Sequence, residues 1–270
     1  MALPLQDKVA FITGGGSGLG AETARRLARD GALVAVNDLN PSAAQAIASE
    51  LGGLAFPFDV TDSSAMDSAV DSCVAQLGRL DIMVNNAGIA PTAPGSKTDL
   101  AIANQMKRME GRVNDLEPMN YLIDISDADW DRMIRVHLYG AFYGSRAALR
   151  HMQPQRSGRI VNISSILGQK PSAGAPHYSV AKAAIITLTK TTAEEVAGLG
   201  INVNAVCPGY IDTPLLTPFS ETLKAGIVMR IGKGHMGVPN DIAEMIRFLC
   251  GPESEYCTGD VFTVSGGYLG

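Results

Sequence analysis

The chain turns sharply at Thr13-Gly14-Gly15-Gly16-Ser17-Gly18-Leu19-Gly20, between a short apolar run, Lys8 to Thr13, and a stretch of helical composition, Ala21 to Arg29. Glycines let a backbone turn tightly and approach a ligand closely. The helix that follows offers free N–H groups and the positive end of its dipole, which together suit a pyrophosphate. This strand, turn and helix predict dinucleotide binding, with contacts from Gly14, Ser17, Gly18 and Leu19.

An acidic residue ends the next predicted strand. That strand, Leu33 to Asn37, runs into Asp38, which stands twenty residues after Gly18. An acid at this place can accept hydrogen bonds from the hydroxyl groups of an adenosine ribose. Asp38 would also repel a 2′-phosphate, and neither Ser17 nor Leu39 supplies a cation to hold one. The sequence therefore predicts NAD rather than NADP, with Asp38 and Leu39 at the adenosine end.

The third predicted strand, Leu54 to Phe58, also ends at an acid. Asp59 and Val60 would then lie at the same edge of the sheet as Asp38, where they can contact the adenine ring. Asp59 can equally cap the helix that follows it. The sequence leaves both roles of Asp59 open.

Strands and helices alternate along the rest of the chain. Helices at Ser42 to Leu51, capped by Asn40, and at Asp67 to Leu77 separate the early strands. This alternation predicts an α/β fold, a parallel, doubly wound sheet with helices on both faces. Further strands are predicted at Leu80 to Val84, before Asn85-Asn86-Ala87-Gly88, and at Arg159 to Ile163, Ile201 to Val206 and Val261 to Val264.

Composition limits the class of protein. The chain has 270 residues, of which 46% are hydrophobic, so it can bury a sizeable core, and we expect one dinucleotide-binding catalytic domain over residues 1–270. The 22 basic and 27 acidic residues are interspersed, which argues against a nucleic-acid partner. No apolar run is long enough to span a membrane. Four dispersed cysteines predict reduced thiols in a cytoplasmic protein without a metal site: Cys73, Cys207, Cys250 and Cys257.

A hydroxyl, a phenol and an ammonium group can converge in the second half of the chain. Tyr178 and Lys182 are four residues apart, so on a helix they share one face. Because a nearby cation favours the phenolate, Lys182 would bring the pKa of Tyr178 from about 10 toward neutrality. Ser165 ends a predicted strand thirteen residues earlier. Such a group suits a carbonyl or alcohol site, whereas a surface pair is the alternative for the bare Tyr and Lys spacing.

Together these motifs resemble the short-chain dehydrogenase/reductase family. They occur in the order of that family: Thr13-Gly14-x-x-x-Gly18-x-Gly20, Asn85-Asn86-Ala87-Gly88, Ser165, Tyr178-x-x-x-Lys182 and Pro208-Gly209. The resemblance covers nearly the whole chain except Ala90 to about Ile125. It implies a single-domain Rossmann fold with a seven-stranded parallel sheet, and a homo-oligomer, a tetramer rather than a dimer.

The resemblance also implies a role for each motif residue. Tyr178 is expected to be the general acid/base, Lys182 to lower the pKa of that phenol and bind the nicotinamide ribose, and Ser165 to orient the substrate oxygen. Asn86 is expected to be structural and close to the cofactor. The remaining cofactor contacts are expected from Ala87, Gly88, Pro208 and Gly209, and, at the nicotinamide carboxamide, from Ile211 and Thr213.

One candidate catalytic residue departs from the family pattern. His137, within Val136-His137-Leu138-Tyr139-Gly140, stands where the family usually carries a relay Asn. If the family's relay uses a main-chain carbonyl that holds a water, the side chain can vary without loss of activity, and we favour this interpretation. If the imidazole, with an ordinary pKa near 6.5, joins the proton path from Lys182 to solvent, His137 is itself catalytic. Impaired catalysis is the third alternative.

An insertion at about residues 93–123 is the second departure. Thr98 can cap a helix in which apolar residues from Leu100 to Met109 recur at near-helical spacing, before Gly111 interrupts it. The segment follows the fourth strand, at the sheet edge where ligands bind. It could therefore roof the substrate pocket, form a subunit contact or be a surface elaboration.

A second segment, at about residues 213–237, resembles the family's mobile substrate loop. Its apolar residues, among them Pro218, Phe219 and Met229, favour a hydrophobic substrate. We therefore interpret the chain as an NAD-dependent oxidoreductase that interconverts a small-molecule secondary alcohol and ketone, with Tyr178 as general acid/base. The alternatives are a related isomerase, dehydratase or lyase that uses NAD transiently, and a catalytically silent dinucleotide-sensing protein.

Overall fold

Seven parallel strands form one sheet in the residues that the computed structural model describes, which are 3–91, 97–217 and 219–268. In chain order the strands are β1 (Val9–Ile12), β2 (Leu33–Asp38), β3 (Leu54–Pro57), β4 (Ile82–Asn85), β5 (Gly158–Ile163), β6 (Ile201–Pro208) and β7 (Val261–Val264). Across the sheet their order is β3-β2-β1-β4-β5-β6-β7. The chain thus winds one way from β1 and then the other, which confirms the predicted doubly wound Rossmann-type fold.

Helices cover both faces of this sheet. Those in the described residues are α1 (Gly18–Arg29), α2 (Pro41–Leu51), α3 (Ser63–Leu77), α4 (Thr98–Met109), α5 (Asp127–Ile134), α6 (Gly140–Gln155), α7 (Ile166–Gln169), α8 (Pro176–Val196), α9 (Glu221–Val228) and α10 (Pro239–Cys250). Buried side chains of α1, α2 and α10 pack on one face, and those of α3, α6 and α8 pack on the other. The two clusters form the core on either side of the sheet.

The strand β1 shows why the central strands are apolar throughout. All four of its residues are buried. Val9 and Phe11 pack into the cluster with α3, α6 and α8, whereas Ala10 and Ile12 pack into the cluster with α1 and α10. Because successive side chains point to opposite faces and both faces are covered, no position of this strand tolerates a polar side chain.

An amide and an acidic side chain cap α2 and α3, the helices that follow β2 and β3. Asn40 caps α2 as predicted, because its side chain accepts hydrogen bonds from the backbone N–H groups of Ser42 and Ala43. Asp62, not Asp59, caps α3. Asp59 instead accepts a hydrogen bond from the backbone N–H of Thr61 at 2.9 Å. Helix capping is therefore not the role of Asp59.

The insertion folds largely upon itself. Its helix α4 begins at Thr98, so the predicted cap is wrong by one residue. The residue before the helix is Lys97, whose ammonium group cannot accept a hydrogen bond from the backbone N–H groups of the first turn. The Lys97 ammonium instead contacts the Met119 carbonyl and the Asp124 carboxylate. The helix ends before Gly111, which has φ of +74°, as expected. Residues 93–96 of the predicted insertion lie outside the described residues.

A buried amide joins the two halves of the insertion. The Asn104 side chain donates to the Glu117 carbonyl at 2.7 Å and accepts from the Glu117 N–H at 3.0 Å. Farther along, the Tyr121 ring approaches the loop before α8, since a Cβ added to Gly174 would lie 3.8 Å from Tyr121 Cζ. The insertion therefore reaches the loop that precedes the helix carrying Tyr178.

Helices α5 and α6 are joined without a break by a π-helical turn, Arg135–Tyr139. A π turn inserts one residue into the helix and interrupts the regular i→i+4 ladder of backbone hydrogen bonds. His137 lies at the centre of this turn. The residue that departs from the family pattern thus coincides with the distorted part of the helix.

The predicted substrate loop contains regular structure. It includes a short 3₁₀ turn, Pro214–Leu216, and the helix α9, while Pro218 lies outside the described residues. Apolar side chains of α9 and of the residues around it pack inward, beside the carboxyl edge of the sheet. Among the described helices none has both the length and the apolar character needed to cross a membrane.

Deletion of Lys97 to Asn120, closed with a short glycine linker, should leave the sheet folded. The hydrogen bonds lost with this segment are mainly internal to the insertion, and β4 and α5 lie outside it. We expect cooperative unfolding by circular dichroism and a melting temperature lowered by less than about 5 °C. Loss of the cooperative transition would show that the insertion is part of the core.

Candidate active site

The carboxyl ends of β1 and β4 meet where the strand order reverses, which is where doubly wound sheets bind ligands. Thr13 Oγ1 accepts hydrogen bonds from the N–H groups of Asn86 at 3.0 Å and Ala87 at 3.1 Å. The Asn86 side-chain amide donates to the carbonyls of Thr13 at 3.0 Å and Gly14 at 2.9 Å. Asn86 is therefore structural, as expected, and it holds the glycine turn against the loop after β4.

The glycine turn admits no side chain at Gly14. This residue has φ of +61°, and a Cβ added to it would lie 2.8 Å from Ala87 Cα. A larger residue would both strain the backbone and push the two loops apart. The absence of side chains leaves the main chain of the turn accessible at the edge of the sheet.

A cavity of about 430 Å³ opens beside this junction. Its volume is in the range of small-molecule pockets. It brings together residues from the ends of four neighbouring strands, β1 to β4. The predicted cofactor residues that line it are Gly14, Asp38, Leu39, Asp59, Val60, Ala87 and Gly88.

Backbone N–H groups hold the Asp38 carboxylate in place within this cavity. One oxygen accepts from the Gly16 N–H at 3.0 Å and the other accepts from the Asn40 N–H at 2.9 Å. Each carboxylate oxygen has lone-pair capacity for a further donor. Asp38 is therefore oriented before any ligand arrives and can still accept hydrogen bonds from hydroxyl groups.

Two guanidinium groups line the same cavity, and sequence reasoning missed them. Arg132 lies in α5 and Arg135 begins the π turn. Both side chains are exposed, and Arg135 also lies over the Tyr139 ring, 5.7 Å from its centroid. No local motif marks these arginines, because they reach the cavity only when α5 packs beside the ends of β3 and β4. The charge of the cavity is thus not set by Asp38 alone.

Other predicted cofactor residues lie outside the cavity but near the glycine turn. The Ser17 hydroxyl makes no capping hydrogen bond to α1, so it remains available to a phosphate. A Cβ added to Gly18 would lie 3.7 Å from Thr213 Cβ, which places Thr213 beside the glycine turn. Ile211 is buried and pairs with Gly237 in an isolated parallel bridge. The segment after β6 therefore returns toward the dinucleotide edge.

Three further predicted contacts have packing roles in the structure. Leu19 packs against the core cluster beneath α1. Pro208 is buried at the end of β6. A Cβ added to Gly209 would lie 2.7 Å from Ser265 Cα, so only glycine fits beside the loop after β7. Their contacts with a cofactor stay predictions.

The ends of β5 and α8 bring the three catalytic candidates together. Ser165 follows β5 and accepts a hydrogen bond from the Leu167 N–H at 3.1 Å, which caps α7. Tyr178 and Lys182 lie on one face of α8, one turn apart. The buried Lys182 ammonium donates to the Ile163 carbonyl at 2.8 Å and lies 5.7 Å from the centroid of the Tyr178 ring.

Burial changes the pKa of both Tyr178 and Lys182. It raises the pKa of the Tyr178 phenol to about 12, and the hydrogen bond with Ser165 opposes this only in part. It also lowers the pKa of Lys182 to about 7. Desolvation therefore sets the pKa of Tyr178 in the protein alone, and the expectation that Lys182 lowers this pKa stays a prediction. Tyr178 is a phenol, and hence a proton donor, across the neutral range.

His137 is buried beside Tyr178. Their ring centroids are 5.2 Å apart, with the planes nearly perpendicular. His137 Nε2 faces the main chain of Ile89, with the N–H at 3.2 Å and the carbonyl at 3.1 Å, so either neutral tautomer keeps a hydrogen bond there. A Cβ added to Gly88 would lie 2.6 Å from His137 Cε1. His137 thus supports the loop after β4.

The imidazole of His137 does not titrate near its ordinary pKa. Burial, followed by the Lys182 charge, holds the pKa of His137 well below 6.5, although the main-chain contact with Ile89 opposes this. The ring is therefore neutral around pH 7. This corrects the premise of the second interpretation, in which the imidazole titrates near neutrality.

A third apolar cluster lies beside Tyr178, at the end of the sheet where the substrate is expected. It combines the helix α7, the segment around α9 and the chain near Tyr268. Tyr210 and Tyr268, which sequence reasoning missed, pack with ring centroids 5.3 Å apart. The residues of this cluster are Ile166, Leu167, Ile227, Ile231 and Tyr268, with Tyr178, Tyr210, Phe219, Leu223 and Met236 packed against them.

Comparison with known proteins identifies the family. The sequence matches the family model described as short chain dehydrogenase over residues 8–224. The chain therefore belongs to this family, as its motifs predict. It is an oxidoreductase with a Rossmann fold that binds a nicotinamide dinucleotide.

Individual relatives align with nearly the whole chain. The chain is 34% identical to the 3-oxoacyl-(acyl-carrier-protein) reductase FabG of Thermotoga maritima. This alignment covers 98% of the present chain and 99% of the relative. The chain is 33% identical to the FabG of Escherichia coli, over 97% of each chain. It is 37% identical to the cis-4-hydroxycyclohexanecarboxylate dehydrogenase of Sinomonas cyclohexanicum, over 97% of this chain and 96% of that protein.

The residues at the sheet edge fit a dinucleotide. The glycine turn has no room for a side chain at Gly14, the α1 N-terminus adjoins it, and Asp38 faces a cavity large enough for an adenosine. Thr213 lies beside the same turn. The protein therefore has groups suited to the adenosine, the pyrophosphate and the nicotinamide ribose along one edge.

We expect His137→Asn to leave the shape of the pH profile of turnover unchanged, because the imidazole is already neutral at neutral pH. Its side chain would still bond to the main chain of Ile89. Turnover should be measured against pH beside His151→Asn, a histidine that pairs with Asp71 on α3. A missing limb in the profile, with a loss of about 10²-fold or more, would instead show acid/base participation by His137.

Proposed function

We propose that the protein is an NAD-dependent oxidoreductase that interconverts a secondary alcohol and a ketone. The observation that carries this proposal is the convergence of Ser165, Tyr178 and Lys182 at the edge that holds the dinucleotide cradle. A hydride donor, a proton donor and an oxygen-orienting hydroxyl are what carbonyl reduction requires. We assign the general acid/base to Tyr178 and the orientation of the substrate oxygen to Ser165.

The acid/base chemistry follows from the pKa values. In the direction of ketone reduction, the Tyr178 phenol donates its proton to the carbonyl oxygen while the carbon receives the hydride. The bound dinucleotide supplies or accepts that hydride. Lys182, with a pKa of about 7, can exchange a proton with its surroundings at neutral pH and so restore the phenol. In alcohol oxidation the same groups act in reverse.

Alcohol oxidation requires the phenolate form of Tyr178. Burial opposes this form in the protein alone, since it raises the pKa of the phenol to about 12. A bound oxidised dinucleotide would supply a cationic nicotinamide ring, and a positive charge near the phenol would favour its ionisation. We therefore propose that the ammonium form of Lys182, 5.7 Å from the centroid of the Tyr178 ring, and such a cofactor would together stabilise the phenolate.

The preference for NAD rests on Asp38. Its carboxylate is fixed by two N–H groups and adds a negative charge where a 2′-phosphate would lie. Arg132 and Arg135 line the cavity as well, from the side of α5. We propose that Asp38 dominates, because it follows β2 directly and its two hydrogen bonds hold the charge in place.

The substrate is proposed to be largely apolar. The third cluster surrounds Tyr178 with aliphatic and aromatic side chains from α7 and α9. The relatives include a 3-oxoacyl-(acyl-carrier-protein) reductase and a cis-4-hydroxycyclohexanecarboxylate dehydrogenase. The first name describes the reduction of a ketone and the second the oxidation of a secondary alcohol. The insertion, whose Tyr121 approaches Gly174, is proposed to cover this side of the pocket.

A homo-oligomer is proposed from an exposed aromatic patch. Tyr139, Phe142 and Val180, from the π turn, α6 and α8, expose 38%, 41% and 47% of their surface. Arg146 lies 5.1 Å from the centroid of the Phe142 ring and 5.2 Å from that of Tyr143. A second copy of the chain would bury this patch, and we expect a tetramer. The four free cysteines support a reducing, cytoplasmic setting.

Tyr178→Phe should reduce turnover by about 10²- to 10⁴-fold while NAD still binds, because the ring is kept and only the proton is removed. Turnover is followed as NADH absorbance with a panel of secondary alcohols, and NAD affinity by calorimetric titration. Tyr143→Phe removes a hydroxyl away from Ser165 and is the matched control. Retained turnover in Tyr178→Phe would exclude this residue as the acid/base. Product without net NADH would favour an isomerase, dehydratase or lyase.

Asp38→Ala combined with Leu39→Arg should relax the preference for NAD over NADP. We expect the unmodified protein to have at least about a tenfold higher kcat/KM with NAD, which corresponds to 1.4 kcal/mol. The control is Asp131→Ala, which removes a carboxylate from the same cavity. The Asp131 carboxylate makes no hydrogen bond to the glycine turn, so this change should leave the ratio of kcat/KM with NAD to that with NADP nearly unchanged. Equal kcat/KM of the unmodified protein with both cofactors would refute the assignment.

A further inference from the structure

The segment after β7, residues 265–268, ties the substrate side of the site to the sheet. The N–H groups of Gly232 and Lys233 donate to carbonyls of this segment at 3.2 and 3.0 Å. Beside them, Ile231 pairs with Tyr268 in an isolated antiparallel bridge. Backbone hydrogen bonds therefore hold the chain that follows α9 to the end of an edge strand of the sheet.

The ring of Tyr268 makes two further contacts. This residue exposes only 5% of its surface. The centroid of its ring is 5.3 Å from that of Tyr210 and 5.0 Å from the guanidinium carbon of Arg230. Aromatic pairs and cation–π pairs attract each other at such distances. Because Tyr210 follows β6 and Arg230 follows α9, the ring joins two segments that are distant in sequence.

A third contact links Tyr268 with α7. The Lys170 ammonium donates to the Tyr268 carbonyl at 3.2 Å. Lys170 follows α7 directly, and Ser165 caps the start of that helix. The Thr263 hydroxyl in β7 also donates to the side-chain carbonyl of Gln169 in α7 at 2.9 Å. Tyr268 therefore contacts the chain after β5, the chain after β6 and the chain after α9.

These three segments lie on the substrate side of the site. Residues of α7, Tyr210 and residues around α9 belong to the third apolar cluster, together with Tyr178 and Tyr268. The residues that line the cavity proposed for the adenosine all come from other parts of the chain, between Gly14 and Val136. The contacts of Tyr268 thus order the substrate side and leave that cavity to other segments.

We propose that Tyr268 is a positioning residue that determines substrate specificity. Its ring holds Tyr210 and the chain after α9 together as one wall of the apolar pocket beside Tyr178. The ligand of this wall is the apolar part of a secondary alcohol or ketone, so the inference rests on the proposed function. A wall that is ordered in advance spares the substrate the entropy cost of ordering these segments on binding.

Loss of the ring should weaken substrate binding by lowering the population of the ordered wall. The apparent affinity of a ligand falls in proportion to the fraction of protein that is competent to bind it. If Tyr268→Ala leaves the wall ordered in about a tenth of the molecules, the KM for the alcohol rises about tenfold. The dissociation constant of NAD, measured without substrate, should change by less than about twofold, because uniform loss of binding is confined to the substrate.

The test compares Tyr268→Ala with Tyr268→Phe. The KM and kcat of each are measured with cyclohexanol and with 2-octanol, two apolar secondary alcohols, at saturating NAD, and NAD affinity is measured by calorimetric titration. Tyr268→Phe keeps the ring and should retain the KM of the unmodified protein, whereas Tyr268→Ala should raise it about tenfold or more. The matched control is Tyr256→Ala, which changes a fully exposed tyrosine and should leave all constants unchanged.

Hydrogen exchange separates positioning from general loss of stability and does not depend on turnover. In Tyr268→Ala we expect faster amide exchange at α9 and at Tyr210, with unchanged exchange in β1 and β4. If Tyr268→Ala does not fold, Tyr268→Leu carries the same test, because leucine keeps much of the buried apolar volume without the face of the ring.

Three results would overturn the proposal. They are an unchanged alcohol KM in Tyr268→Ala, an equal rise of KM in Tyr268→Phe, and faster exchange over the whole sheet with a matching loss of NAD affinity. If the unmodified protein oxidises no alcohol of the panel, the proposed function fails. The exchange comparison then still decides whether the Tyr268 ring holds the wall.

Discussion

The hydrogen bonds between Thr13 and the loop after β4 are the interaction on which the site depends. Thr13 and Asn86 together make four close bonds across the point where the strand order reverses. Each is worth about 1 kcal/mol net, but an unpaired buried group there would cost more. These bonds hold the glycine turn beside the loop after β4, at the carboxyl edge of the sheet. The same loop contacts His137 through Ile89 and lines the cavity at this edge. A local junction thereby sets the position of the whole dinucleotide cradle.

Desolvation is the second constraint, and it decides the resting protonation of the site. The same burial raises the pKa of Tyr178 to about 12 and lowers that of Lys182 to about 7. It thus disfavours charge on both groups in the protein alone.

The groups proposed to bind the cofactor's adenosine and those proposed to catalyse the reaction lie at different strands of the sheet. The ends of β1 to β4 line the cavity proposed for the adenosine, whereas β5, α8 and the segment after β6 carry the groups expected at the nicotinamide and the substrate. The two regions share the loop after β4, which contacts the glycine turn through Asn86 and His137 through Ile89.

The sequence by itself determined the parallel, doubly wound sheet and the glycine turn, and it predicted Ser165, Tyr178 and Lys182 as one site, because periodicity and short motifs are local properties of the chain. Even the cap of α2 by Asn40 could be predicted, since it depends on residues two and three positions away. The cap of α4 and the entry of Arg132 and Arg135 into the cavity could not. Nor could the high pKa of Tyr178. These depend on distant segments packing together, and burial and long-range charge exist only once the tertiary structure has formed.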